Sequence, residues 1–186
     1  MSEPSPRPDR PLDSYRPYLR MLAAAQVPAY LRGQVDPSDV VQNTLLKAHE
    51  RFDQYRGTTD AEFAAWLRRI LANAMIDALR RITREPRVLQ ALEQSSSHLE
   101  AALAANVSSP SERAVRQEDL ERLAQALEQL PEDQRTAVQL QQIQDNSVED
   151  IAKQMNRSKT AIGGLLKRGM RRLRELMQEG GDHERH

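Results

Sequence analysis

Two sets of side chains have types and spacing suited to binding nucleic acid. At the helical period, Lys159, Thr160, Gly163, Lys167 and Arg171 fall within an arc of about 120° opposite an apolar stripe. Lys and Arg on such a face neutralise phosphates, a Thr hydroxyl reaches a base edge, and glycine lets backbone approach DNA closely. Gly163 and Gly164 each cost an exposed helix interior about 1 kcal/mol relative to Ala, so they ask for a reason such as that approach. The second set is Trp66, Arg69, Asn73, Asp77 and Arg80, within an arc of about 80°. A ring, an amide and arginines on one face are the parts of a stacking platform for unpaired bases. The indole takes the base face, the amide a base edge, and the guanidinium groups the phosphates. The plainer readings are a solvated basic face for the first set and, for the second, a core-edge Trp66 with Asp77 paired to Arg80 or Arg81.

Helices must position both sets. Ser147 with Asp150 three residues on makes a near capping box, and Ile151, Ala152 and Met155 form a buried stripe behind it. Asn156 tolerates the left-handed conformation that ends a helix sharply. Ser158 then caps a second helix with Ile162, Leu165, Leu166, Gly169 and Leu173 inward, the order and spacing of a DNA-binding helix-turn-helix. In FAAWLRRILANAMIDALRR, Phe63, Leu67, Ile70, Leu71, Ala74 and Ala78 make the core stripe beside the Trp66 face. In SDVVQNTLLKAHERF, Ser38 can cap a helix with Val41, Leu45, Ala48 and Phe52 inward and Asp39, Gln42, Asn43, Leu46 and Glu50 outward. An exposed Leu46 ringed by polar side chains has the makeup of a protein contact.

The 186-residue chain has no cysteine and balances 27 Lys and Arg against 27 Asp and Glu. Disulfide scaffolds, thiolate zinc sites and cysteine nucleophiles are thereby excluded. No apolar run approaches the ~18 residues of a membrane span, and the polar, proline-rich start does not read as a signal peptide, so a cytoplasmic protein without membrane insertion is expected. His49, His98, His183 and His186 form no metal constellation, and no glycine-rich phosphate loop is present. No cofactor is expected, and no enzymatic activity. Charge is balanced only in sum: nine acidic residues lie between Glu118 and Asp150, and six basic residues with no acid between Lys159 and Arg174. That layout puts a basic patch on one element.

Strand-period alternation is missing, so the expected fold is all-α. All seven aromatic residues lie within the first 66 positions, which implies two separately packed cores. The expected organisation is a disordered tail at 1–14, a helical domain at 15–86, a flexible linker at 87–117, a helix-turn-helix domain at 118–178 and a tail at 179–186. The linker holds six Ser and six Ala, with helix-stopping Pro86 and Pro110 near its ends and a weak helix near Leu99 to Ala105.

These residues resemble the extracytoplasmic-function (ECF) sigma factors of bacterial RNA polymerase. DPSDVVQNTLLKAHERFDQYRG is similar to their region 2 core-binding helix and the loop after it. FAAWLRRILANAMIDALRR is similar to the helix that reads and opens the -10 element. LPEDQRTAVQLQQIQDNSVEDIAKQMNRSKTAIGGLLKRGMRRLREL is similar to region 4, which binds the -35 element. Together these segments cover most of positions 16 to 178 in the family's order. The resemblance implies that Asp39, Gln42, Asn43, Leu45 and Leu46 belong to the polymerase-docking helix. It places Trp66, Arg69, Asn73, Asp77, Arg80 and Arg81 along the single-stranded -10 element. It places Arg157, Ser158, Lys159, Thr160, Gly163, Lys167, Arg168 and Arg171 at the duplex -35 element. Core RNA polymerase and promoter DNA are the implied partners, and an anti-sigma protein is admitted as a further one. Two positions depart from the family: Gly163 stands where Arg or Lys is usual, and His49 where Trp is common, which is expected to weaken packing of that helix. The chain has no room for the extra N-terminal and middle regions of primary sigma factors. The rival readings are a stand-alone helix-turn-helix regulator and a recombinase or transposase with a helix-turn-helix tail. The first needs a dimer surface or surplus positive charge, and the second needs strands and a catalytic cluster.

Overall fold

The computed structural model describes residues 10–27, 31, 33–104 and 109–182. Every regular element among them is helical, and they form two compact units, one ending at Leu120 and one starting at Glu121. The outer parts of both expected tails, 1–9 and 183–186, lie outside the described residues.

The first unit is built on α1 (Arg16–Gln26), α2 (Pro37–Glu50) and α3 (Asp60–Ile82), each packed against the other two. Residues 10–14, expected as tail, are tied in. A 3-10 turn at Leu12–Tyr15 buries Tyr15, and Arg10 and the Tyr15 hydroxyl both donate to the Asp60 carboxylate at the start of α3. α2 begins before Ser38: the Asp36 side chain accepts from the Ser38 N–H at 2.8 Å, and Pro37 takes the first helical position, where its missing N–H costs nothing. Val41, Leu45 and Ala48 are buried as their spacing requires. Phe52 is half-buried on a 3-10 turn at Phe52–Gln54.

α3 starts at a capping box. The Thr59 hydroxyl accepts from the Glu62 N–H at 3.2 Å, and the Glu62 carboxylate accepts from the Thr58 and Thr59 backbone N–H groups at 2.8 and 3.1 Å. These bonds, led by that from Thr58, hold the Glu62 carboxyl below the usual carboxylate range. The buried face of α3 is wider than one stripe. Met75 and Leu79 are buried while the expected Ala78 is only partly so, because α3 is covered by α1, α2 and also α4 (Pro86–Ala104).

Here the structure departs from the expected linker. Residues 87–104 continue α4, and α5 (Pro110–Glu128) follows the four positions 105–108, which lie outside the described residues. The Ser-rich composition hides Val88 and Leu92, four residues apart, which α4 buries. The Tyr18 hydroxyl meets Gln117 Oε1 at 3.3 Å, and Arg68 Nη1 donates to both, so the N-terminal half of α5 belongs to the first unit.

The second unit contains α6 (Glu132–Val138), α7 (Val148–Met155) and α8 (Lys159–Asp182). α6 runs into a π-helical turn at Gln139–Ile143 and ends near Asp145, whose φ of 51° lies in the left-handed region that Asp tolerates. α8 extends to Asp182, past the expected tail boundary at 179. It packs on α6 at Gly169, where an added Cβ would lie 2.9 Å from Val138 Cγ2 and 3.3 Å from Gln134 Cβ. Gly169→Ala is therefore expected to destabilise the second unit by about 1–3 kcal/mol through overpacking, read as a lower midpoint in urea. Gly163→Ala, with open space around the same position, is expected to raise that midpoint slightly.

Candidate nucleic-acid interface

On α3 the second set of residues divides by environment. Trp66 is half-buried, with its ring centroid 5.4 Å from those of Phe63 and Tyr55 and 6.5 Å from that of Phe52. Two of these rings come from the segment after α2, so the indole closes an aromatic cluster rather than standing alone. Tyr15 completes the cluster at 5.3 Å from Phe63. Buried Tyr55 donates its hydroxyl to the Thr59 carbonyl at 3.1 Å, which ties the loop entering α3 to the rings. Burial, then the charges of Glu62 and Asp60, push the Tyr55 phenol up. Gly57 lies against that ring, and any Cβ there would fall within 2.7 Å of it. The loop was expected from the sequence, but the cap that closes it was not, although the Thr-x-x-Glu spacing at 59–62 was a signal for it.

Arg69, Asn73, Arg80 and Arg81 are exposed, the last two near the far end of α3 from the cluster. Asp77, on the same arc, is half-exposed and paired. Its carboxylate accepts from Lys47 Nζ of α2 at 3.0 Å, with Arg80 at 4.0 Å. A carboxylate facing phosphate would repel it, whereas here Asp77 ties α3 to α2. The Arg80 pairing was foreseeable from the i,i+3 spacing, but a partner 30 residues away leaves no periodic trace.

On α2, Asp39 and Gln42 are exposed, Asn43 is half-buried, and Leu46 is 57 % exposed. Leu45, placed on the docking helix with them, is 6 % exposed and faces the core, so it supports the helix from behind. His49, expected to weaken the packing of this helix, is exposed.

The helix-turn-helix forms as its spacing requires. Ser147 accepts from the Asp150 N–H at 3.2 Å, Asn156 turns the chain at φ 50° and ψ 49°, and Ser158 accepts from the Ala161 N–H at 3.1 Å. Ile151 and Ile162 are fully buried and Ala152 nearly so, while Met155 is only half-buried. Arg157, Ser158, Lys159, Thr160, Gly163, Lys167, Arg168 and Arg171 are all exposed, on the turn and one side of α8. Their charges are not equally available. Arg157 Nη2 is 2.5 Å from Asp133 and Lys159 Nζ is 2.9 Å from Glu149, whereas Arg171 reaches Glu175 only at 3.9 Å. Lys167 and Arg168 make no ion pair among the described residues. Among those residues there is also no group of three or more His, Cys, Asp or Glu that could hold a metal ion, and no helix long and apolar enough to cross a membrane.

Residues 13–85 match the family Sigma-70 region 2, and residues 120–173 match Sigma-70, region 4, together more than half of the chain. The chain is 32 % identical over 118 residues to the RNA polymerase sigma-H factor of Pseudomonas aeruginosa, covering 63 % of this chain and 60 % of that one. It is 32 % identical over 126 residues to the ECF RNA polymerase sigma-E factor of Escherichia coli, covering 63 % and 61 %. The chain belongs to the Sigma-70 family. The match spans about three fifths of the length of these relatives. The sigma factor RpoE in a co-crystal structure with the anti-sigma factor NepR from Bartonella quintana is 24 % identical, the match covering 88 % of this chain and 91 % of that one with a TM-score of 0.36. Within this Sigma-70 family member, α1 to α3 lie in the region 2 match, and α6, α7 and the basic face of α8 lie in the region 4 match.

Proposed function

We propose that this Sigma-70 family member serves as an ECF-type sigma subunit, which binds core RNA polymerase, directs it to promoters and helps open the -10 element to start transcription. The observation that carries the reading is one chain holding region 2 and then region 4. Asp39, Gln42, Asn43 and Leu46 on α2 meet the polymerase, with Leu45 packed behind them. Trp66, Arg69, Asn73, Arg80 and Arg81 lie along the unpaired -10 strand, and Asp77 positions Lys47. The exposed side of α8, from Ser158 through Arg171, enters the major groove at the -35 element, with Arg157 at its edge. The protein contributes recognition to a reaction that polymerase performs, has no chemistry of its own, and works in the cytoplasm where the core enzyme acts. An anti-sigma protein is an expectation resting on family membership alone. A stand-alone regulator would use α8 but has no use for region 2, and with zero net charge it would bind duplex weakly.

Gel filtration of the chain with core polymerase, followed by transcription from a library of promoter fragments, tests the reading. Co-elution and new transcripts are expected. Duplex binding without co-elution would favour the regulator. At the -35 element, phosphate contacts by Lys167, Arg168 and Arg171 should give a log affinity that falls against log salt with a slope near about -3. Lys167→Ala should flatten that slope by about one unit without relaxing preference. A loss confined to one sequence would instead make Lys167 a base reader.

A further inference from the structure

We infer that Asp133 and Glu149 determine how sharply region 4 discriminates between duplexes, by holding Arg157 and Lys159 until a well-placed DNA acceptor displaces them. The inference rests on the region 4 reading above and deepens it. Arg157 and Lys159 stand at the turn where α8 begins, and each is held by a carboxylate from a different element. Asp133, in the first turn of α6, takes Arg157 Nη2 at 2.5 Å. Glu149, in the first turn of α7, takes Lys159 Nζ at 2.9 Å and Lys153 Nζ at 3.3 Å. The hydrogen bond from Lys159, followed by that from Lys153, holds the Glu149 carboxyl below the usual carboxylate range, so the clasp stays charged at neutral pH.

The basic face is therefore uneven. Charge at Lys167 and Arg168 is open to any phosphate, while charge at the turn is cancelled in place. Exposed pairs of this kind hold by a factor of up to about fivefold, enough to withhold both cations from a poorly placed phosphate. A duplex that presents a phosphate or a guanine edge in direct reach offers a charge-assisted or bidentate bond in exchange, which overcomes that factor. Specificity is the difference between the two cases, and withholding charge from wrong sites widens it. Both pairs are about half exposed, so an incoming acceptor can reach them.

The test uses the full chain and a fluorescent, short, mixed-sequence duplex, followed by anisotropy across a salt series. Asp133→Asn and Glu149→Gln are each expected to tighten binding about three- to fivefold and to steepen the salt slope by about 0.9. Adding Lys159→Gln to Glu149→Gln should reverse that gain, which a change in helix packing would not do. Selection from a random duplex pool should return a flatter base preference for both amide variants than for wild type. Unchanged or weaker binding by both variants with wild-type melting curves, or an unchanged preference, overturns the inference and leaves the region 4 reading standing. If neither wild type nor variants bind duplex even at low salt, the region 4 reading itself falls.

Discussion

Trp66→Ala is expected to lower the stability of region 2 by about 2–4 kcal/mol and, separately, to impair promoter melting. The first effect follows from the ring's place: three aromatic neighbours lie within 6.5 Å of it, and a half-buried indole cannot be removed without opening the cluster. The second follows from the part of the ring left exposed beside Arg69 and Asn73, where an unpaired base stacking on it gains about 1–3 kcal/mol. Trp66→Leu separates the two, because it keeps much of the apolar volume and removes the π-face. Holoenzyme with Trp66→Leu should reach closed promoters normally and show weak permanganate reactivity at the -10 element, partly restored on a pre-melted bubble template. Asn73→Ala should mainly blur discrimination at one -10 position. Normal melting by both folded variants would leave Trp66 with a packing role only.

What the sequence revealed and what it hid separate along physical lines. The turn at Asn156, the Ser147 and Ser158 caps and the stripe Ile162, Leu165, Leu166 and Gly169 were legible, because each depends on residues within a turn or two of one another. The Lys47–Asp77, Asp133–Arg157 and Glu149–Lys159 pairs were not, because they join different elements and leave no period in the chain. Those pairs change the reading of the sites: they tie Asp77 to Lys47 of α2 and divide the cations of region 4 into held and open ones. α4 shows the same limit in the backbone. Its serines favour turns and caps in isolation, yet Val88 and Leu92 find a surface to bury against, and tertiary packing outweighs local preference.

The sharpest contrast is expected between two neighbouring leucines. Leu45 is 6 % exposed and Leu46 57 % exposed, although the two are adjacent on α2 and chemically identical. Leu45→Arg would drive a guanidinium into the packed interior among α1, α2 and α3, where a buried charge without a partner costs more than about 4 kcal/mol. Small domains hold only about 5–15 kcal/mol in all, so region 2 should lose its cooperative thermal transition or melt far below wild type. Leu46→Arg should leave stability within about 0.5 kcal/mol, since the position is open and Arg suits a helix as well as Leu does. Its effect falls on the partner. If α2 docks on core polymerase, Leu46 is the one large apolar side chain on a rim of Asp39, Gln42 and Asn43, and replacing such an anchor by a charge should weaken association by about 2 kcal/mol or more, roughly thirtyfold. Far-UV circular dichroism and urea midpoints test the first half of the contrast, and titration of labelled chain with core polymerase tests the second. A folded Leu46→Arg protein that binds core as tightly as wild type would remove this face of α2 from the interface and turn the search toward other exposed surfaces of region 2.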